Sequence, residues 1–221
     1  MIVTIDGPAG AGKSSVAREL ARRIGFEFLD TGAMYRAVTW AALRDRLDLE
    51  QAAELARLAE RIELRWSDGR LLIDGVDATD AIRTPEITAL IRHAADPPEV
   101  RRVLVRRQQE WVGDRNVVTE GRDQGTVAFP QAGCKIFLTA SPEERARRRA
   151  VQLRSLGHAA DEHEILAAQT ERDRRDASRP EGPLRAADDS IELMTDGLSP
   201  DEVIERLVAI VRSRFGEVIP R

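Results

Sequence analysis

Short apolar runs alternate along this chain with longer segments of helical periodicity. Met1-Ile2-Val3-Thr4-Ile5 reads as a buried strand, and Ser15 to Ile24 repeats its apolar residues at helical spacing. Phe26–Leu29 reads as a second strand, ending at Asp30-Thr31-Gly32. A helix is predicted from Ala33 to about Leu47, capped by Asp30 or Thr31, and another from Ala52 to Arg61. The texture changes at Ile62. Ile62–Trp66 alternates, Asp68-Gly69 and Asp74-Gly75 are turn signals, and Arg70–Ile73 and Val76–Ala78 lie beside them. Residues 62–96 therefore read as an antiparallel insertion, closed by Pro97-Pro98 and followed by a helix from about Glu99 to Trp111.

Core strands are predicted again at Asn116–Thr119 and Cys134–Thr139, with a last one at Asp189–Leu193. Ser141-Pro142-Glu143-Glu144 and Ser199-Pro200-Asp201-Glu202 both have the form of a capping box opening a helix. The helix from Pro142 runs to about Leu153 and is broken at Leu156-Gly157-His158. A polar helix follows from about Asp161 to Ala177, and Pro180 and Pro183 mark a loop. Strands separated by helices imply a mostly parallel sheet covered on both faces, with ligands beyond the carboxyl ends of its strands.

The stretch between the first strand and the first helix carries the chemistry. Gly7-Pro8-Ala9-Gly10-Ala11-Gly12-Lys13-Ser14 satisfies G-x-x-x-x-G-K-[ST] in the strand–loop–helix context that the motif requires. Glycines let backbone N–H groups turn toward a phosphate, and the helix N-terminus adds its positive dipole end. Lys13 can reach the β- and γ-phosphates, and the Ser14 hydroxyl can ligate Mg²⁺. The chain has only two lysines, Lys13 and Lys135, so a lysine at this position is not an accident of composition. A nucleoside triphosphate site is expected.

Composition narrows the class. With 221 residues, 42% hydrophobic and 33% charged, the chain can bury one core with an insertion. A net charge of −4 gives no basic field for nucleic acid. The single cysteine, Cys134, excludes an internal disulfide and suits a reducing cytosol. No membrane span is expected, nor a leader peptide, since the first residues already read as a core strand; the expected location is the cytoplasm. His93, His158 and His163 lack zinc-ligand spacing.

The phosphoryl acceptor has to be read from arginines. Arg36 falls in the first turns after Asp30-Thr31-Gly32, and Arg122 falls at a strand end in Gly121-Arg122-Asp123. Arg172, Asp176 and Arg179, at i, i+4 and i+7, share a helical face if the helix persists that far. Guanidinium forks suit phosphate oxygens, and an exposed ion-pair face is the competing reading for that trio. Arg147-Arg148-Arg149 equally fits solvated helix surface.

Taken in order, these segments resemble the bacterial cytidylate kinases. The matching stretches are Ile2–Ser15, Asp30–Leu43, Ala81–Ile87, Val100–Gln108, Glu120–Pro130, Lys135–Arg149, Arg172–Arg179 and Pro183-Leu184. The resemblance implies an α/β P-loop kinase fold with a five-stranded parallel sheet and helices on both faces. It further implies a core domain of residues 1–61 and 97–221, a nucleoside monophosphate-binding insert at 62–96 and a lid at about 148–163. The implied activity is transfer of a phosphoryl group from ATP, with Mg²⁺, to CMP or dCMP by a monomer. Residue by residue, Gly7 to Ser15 and Arg148 would hold ATP. Thr31, Arg36 and Arg122 take positions near the nucleotide monophosphate, and Arg101, Asp123 and Arg179 take positions around the cytosine. Arg172 and Asp176 fall near ribose and phosphate; Lys13, Arg122 and Arg172 are the catalytic candidates. Arg92 stands where the family often has serine against the base, Glu120 where aspartate is usual, and Met194 where aspartate is usual near the last strand. A kinase of another small molecule and a nucleotide-dependent switch are the rival readings; the switch lacks an Asn-Lys-x-Asp signature here.

Overall fold

A computed structural model of the chain describes residues 1–67, 69–155 and 157–216. Asp68 of the first expected turn and Leu156 of the expected helix break lie outside the described residues. The chain divides into two compact units, Met1–Leu29 with the chain from Val112 onward, and Asp30–Trp111. The second unit thus includes the segment 62–96 together with the helices on either side of it.

The first unit is built on a five-stranded sheet. Its strands are β1 (Ile2–Asp6), β2 (Glu27–Asp30), β6 (Val117–Gly121), β7 (Cys134–Thr139) and β8 (Ile191–Met194), in the order β2-β6-β1-β7-β8. β1 pairs in parallel with β6, from Ile2 opposite Val117 to Asp6 opposite Gly121, and with β7, from Val3 opposite Cys134 to Asp6 opposite Phe137. Strand β7 pairs in parallel with β8. A central strand covered on both faces needs a continuous apolar run rather than alternation, and β1 is buried from Val3 to Asp6. Helix α1 (Lys13–Ile24) lays Val16, Ala17, Leu20, Ala21 and Ile24 into the core, where helix α9 (Pro200–Phe215) adds Val203, Ile204, Leu207, Val208 and Val211. Helices α7 (Pro142–Ser155) and α8 (Glu162–Ala177) complete the unit.

The two expected capping boxes behave differently. At α9 the box is complete: Ser199 Oγ accepts from Glu202 N, and Glu202 Oε2 accepts from Ser199 N at 2.8 Å. At α7 only half of it forms. Ser141 Oγ accepts from Glu144 N at 3.3 Å, but the Ser141 N–H goes to Asp196 Oδ1 and the Glu144 carboxylate goes to Arg147 and Arg148. A guanidinium on the same helix competes for the glutamate that the motif reserves for the cap.

The second unit contains α2 (Thr31–Arg44), α3 (Ala52–Arg61), a three-stranded antiparallel sheet, two short helices, α4 (Pro85–Leu90) and α5 (Arg92–Ala95), and α6 (Pro98–Val112). Its strands β3 (Leu64–Ser67), β4 (Arg70–Ile73) and β5 (Val76–Asp77) lie in sequence order. Asp30 caps α2, accepting from Ala33 N at 2.9 Å. Trp66 and Trp111 meet edge to face, 6.0 Å between centroids.

Candidate active site

β1 ends in the middle of the sheet, where the chain crosses to opposite sides, and the glycine loop starts there. Gly7 has φ +148, and a Cβ on it would stand 1.9 Å from the Leu138 carbonyl oxygen, so the loop passes too close to β7 for any side chain. Gly12 has φ +86 and forms the N-cap of α1 with no side-chain cap, which leaves the first N–H groups of the helix to a ligand.

Lys13 is 5% exposed, and its Nζ donates to Pro8 O at 2.7 Å across the loop. Burial, reinforced by the Arg122 and Arg172 guanidinia, pushes its ammonium down to about 7 against the pull of Glu120 and Asp6. Phosphate oxygens would replace what this ammonium lacks. Ser14 Oγ donates to Glu120 Oε1 at 2.8 Å. This pairing tests the fit of Mg²⁺. A hydroxyl and a buried carboxylate are hard oxygen donors, and Mg²⁺ needs few protein ligands when phosphates supply the rest. Among the described residues no group of three or more His, Cys, Asp or Glu could hold an ion by itself.

Beyond β6 the chain makes one π-helical turn, Gln124–Ala128. Asp6, at the end of β1, anchors it, accepting from Gln124 N at 2.8 Å and Gly125 N at 2.7 Å. Burial pushes the Asp6 carboxyl up to about 7, against those two N–H bonds. Arg122 and Asp123 are thereby fixed between two anchored points.

The expected trio on α8 is brought together, and it is not an exposed ion-pair face. Asp176 is 1% exposed. It accepts from Arg122 Nε at 2.9 Å and Arg179 Nη2 at 2.5 Å, while Arg172 Nε stands 3.9 Å away. Burial alone would raise its pKa; the charges of Arg122, Arg179 and Arg172 outweigh it and hold the carboxyl below the usual range. The helix ends at Ala177, so Arg179 reaches Asp176 from the following turn rather than from the same helical face. One buried carboxylate thus holds three guanidinia in place. Arg148 Nη1 and Nη2 donate to Thr195 Oγ1 and O at 2.9 and 2.7 Å, just past the C-terminal end of β8. Arg147 pairs with Glu144, and Arg149 donates to the Gln152 amide oxygen, so each is held by a neighbour on its own helix.

In the second unit Thr31 is buried in the first turn of α2. One turn on, Arg36 Nη1 donates to Thr88 Oγ1 at 2.8 Å. Arg101 is buried on α6, donating to Ala95 O at 3.0 Å with its guanidinium 5.7 Å from the centre of the Tyr35 ring. Arg92 Nε donates to His93 Nε2 at 3.2 Å, and His93 Nδ1 lies 3.3 Å from Glu50 Oε1.

The family model for cytidylate kinase matches residues 3–213. This chain belongs to the cytidylate kinase family. A cytidylate kinase of Rhodopirellula baltica is 54% identical over 212 residues, 96% of this chain and 93% of that protein. A bifunctional pantoate ligase/cytidylate kinase of Synechococcus sp. strain WH7803 is 49% identical over 99% of this chain, which spans 46% of its length. Among solved structures, a shikimate kinase of Bacteroides thetaiotaomicron covers 96% of this chain and is itself covered to 98%, at 16% identity and a TM-score of 0.50; that likeness concerns the fold alone.

Sequence reasoning missed four residues around the loop. Asp6 and Glu120 sit at strand ends and were not read as partners, because their roles depend on which strands are neighbours. Arg145 and Asp173 are distant in sequence and meet only through packing. Arg145 is buried and Asp173 mostly so, and nothing local in the sequence marks either.

Proposed function

We propose a division of labour in which the glycine loop, Lys13, Ser14 and Ser15 hold ATP and the arginines gathered by Asp176 serve the acceptor. As a member of the cytidylate kinase family, the chain phosphorylates CMP and dCMP to CDP and dCDP. The observation that carries the division is the pairing of Arg122 and Arg179 with the buried Asp176, beside Arg172.

Phosphoryl transfer asks the protein for position and charge more than for covalent chemistry. Loop N–H groups and the Lys13 ammonium cradle the β- and γ-phosphates. Ser14 Oγ, with Glu120 next to it, would hold Mg²⁺, which would supply positive charge against the phosphates. Arg122 and Arg172 receive charge developing on the transferring group, and Arg36 with Thr31 orients the acceptor phosphate. Arg101, Asp123 and Arg179 face the cytosine, and Asp176 answers the sugar. Residues 62–96 act as the monophosphate-binding insert, and residues from about 148 to 163, Arg148 included, act as a lid whose closure excludes water. The protein works as a cytoplasmic monomer, without nucleic-acid or membrane partners. No helix among the described residues is long and apolar enough to cross a membrane.

Arg122→Ala and Arg36→Ala test the division. Each is expected to depress turnover with CMP at least tenfold while the Kd for a non-hydrolysable ATP analogue changes less than threefold. Equal losses of analogue affinity would move these arginines to the donor side.

A further inference from the structure

The phosphate loop is gripped by two side chains to which the reaction gives no other role. Ala9 donates its N–H to Asp173 Oδ1 at 3.0 Å, and its carbonyl accepts from Arg145 Nη1 at 2.8 Å. The two side chains close on each other, with Arg145 Nη1 2.5 Å from Asp173 Oδ2. Arg145 also donates through Nε to Ala140 O, at the end of β7, at 3.2 Å. It is buried, and Asp173 is mostly so. A single residue of the loop is therefore held at both its backbone N–H and its backbone C=O by one ion pair, with one partner on α7 and the other on α8. The next residue supports the same picture. A Cβ on Gly10 would meet Gln169 Nε2 at 2.7 Å and Arg145 Cβ at 3.3 Å, so α7 and α8 press directly on the loop. Gln169 is one turn before Asp173 on α8.

Helix α8 has a second attachment. Asp173 lies between Arg172 and Asp176, and Asp176 holds Arg122 and Arg179. The helix thus touches the donor loop through Asp173 and gathers the acceptor arginines one turn later. A displacement of Ala9 must be passed through the ion pair toward the Arg172/Asp176 cluster or strip the pair of its bonds to the Ala9 backbone. The cost of losing hydrogen bonds to buried charged groups makes the first response the favoured one.

We propose that Arg145 and Asp173 are positioning residues that register α8, and with it the acceptor arginines, against the phosphate loop, so that occupancy of the donor site tightens the acceptor site. This rests on the reading of Gly7–Ser14 as the ATP site. Linkage makes the coupling reciprocal: each ligand raises the affinity for the other by the same factor.

The test measures Kd for CMP with and without a saturating non-hydrolysable ATP analogue, together with Tm and kcat, in wild type, Asp173→Ala and Asp173→Asn. Lys13→Ala is carried alongside as a control on the loop reading. Wild type should bind CMP at least threefold more tightly with the analogue present. In Asp173→Ala that factor should fall to about one and kcat should fall tenfold or more. Asparagine keeps an acceptor for the Ala9 N–H but loses the charge facing Arg145. It should therefore retain an intermediate factor in a protein that stays folded at the assay temperature. Coupling of wild-type size in either variant, or no coupling in wild type, overturns the proposal. A fall in Tm with kcat and coupling unchanged well below Tm also overturns it, since it would leave only a packing role. Normal turnover in Lys13→Ala would instead fell the loop reading itself, and the clamp with it.

Discussion

Lys13 is where residue chemistry and function meet most directly. In the ligand-free protein its ammonium is pushed down to about 7 by burial and neighbouring guanidinia. Above that pH much of the population is neutral, and a triphosphate pulls the proton back. Nucleotide binding at pH 8 should therefore take up about 0.8 proton if the bound pKa reaches about 9, and affinity should decline as pH rises past 7. Calorimetry in buffers of different ionisation enthalpy reads the uptake, and Lys13→Met should abolish it. Lys13→Ala should lose about 3–4 kcal/mol of transition-state stabilisation without unfolding. A near-normal kcat in that variant would contradict the assignment. Base choice belongs to this scale as well. An arginine only donates, so Arg92 cannot accept from the cytosine N4 amine as a serine could, and we propose that the acceptor role falls to Asp123. Asp123→Asn should narrow the ratio of kcat/KM for CMP over UMP by up to about a hundredfold, since a mismatched polar edge costs about 1–3 kcal/mol. Arg92→Ser should widen it. An unchanged ratio in Asp123→Asn removes the residue from base recognition.

At the scale of elements, local rules were readable wherever local atoms decide the outcome. The first helix, the Ala52–Arg61 helix and the Cys134–Thr139 strand follow directly from periodicity, and the Ser199 box forms as written. The Ser141 box does not, because Asp196, fifty-five residues away, takes the serine N–H. Ser199→Ala should accordingly cost about 1 kcal/mol in urea unfolding. Ser141→Ala should cost less, because the Ser141 hydroxyl accepts from Glu144 N at 3.3 Å, whereas the Ser199 hydroxyl both accepts from Glu202 N and donates to Glu202 Oε2 at 2.8 Å. Gly7→Ala is the severe case. Its φ of +148 and the Leu138 oxygen in the path of a Cβ should destabilise the protein by more than about 2 kcal/mol. A Gly7→Ala protein as stable as wild type would mean that the loop does not run where it is placed here.

For the whole molecule, the alternation of strands and helices was enough to give a parallel sheet with its ligand loops at one edge, but not the strand order. That order sets which carboxylates meet which loops. It puts β6 beside β1, so that Asp6 can hold Gln124 and Gly125 and Glu120 can reach Ser14. No local pattern records such meetings. Sequence spacing put Arg172, Asp176 and Arg179 on one helical face if the helix persisted that far. The chain instead leaves the helix at Ala177 and turns Arg179 back onto Asp176. Arg148 illustrates the opposite limit: its position in an arginine run says nothing of Thr195, which holds it. The central claim, a donor loop serving a cytidine monophosphate, is tested most directly by one coupled assay of the purified chain with ATP and Mg²⁺. The assay compares CMP, dCMP, UMP, AMP and GMP as acceptors at equal concentration. Turnover with CMP and dCMP should exceed that with the other three by at least tenfold, and ATP should be stable when no acceptor is present. Binding of ATP with no acceptor-dependent turnover, or a preference for a purine monophosphate, would contradict the account.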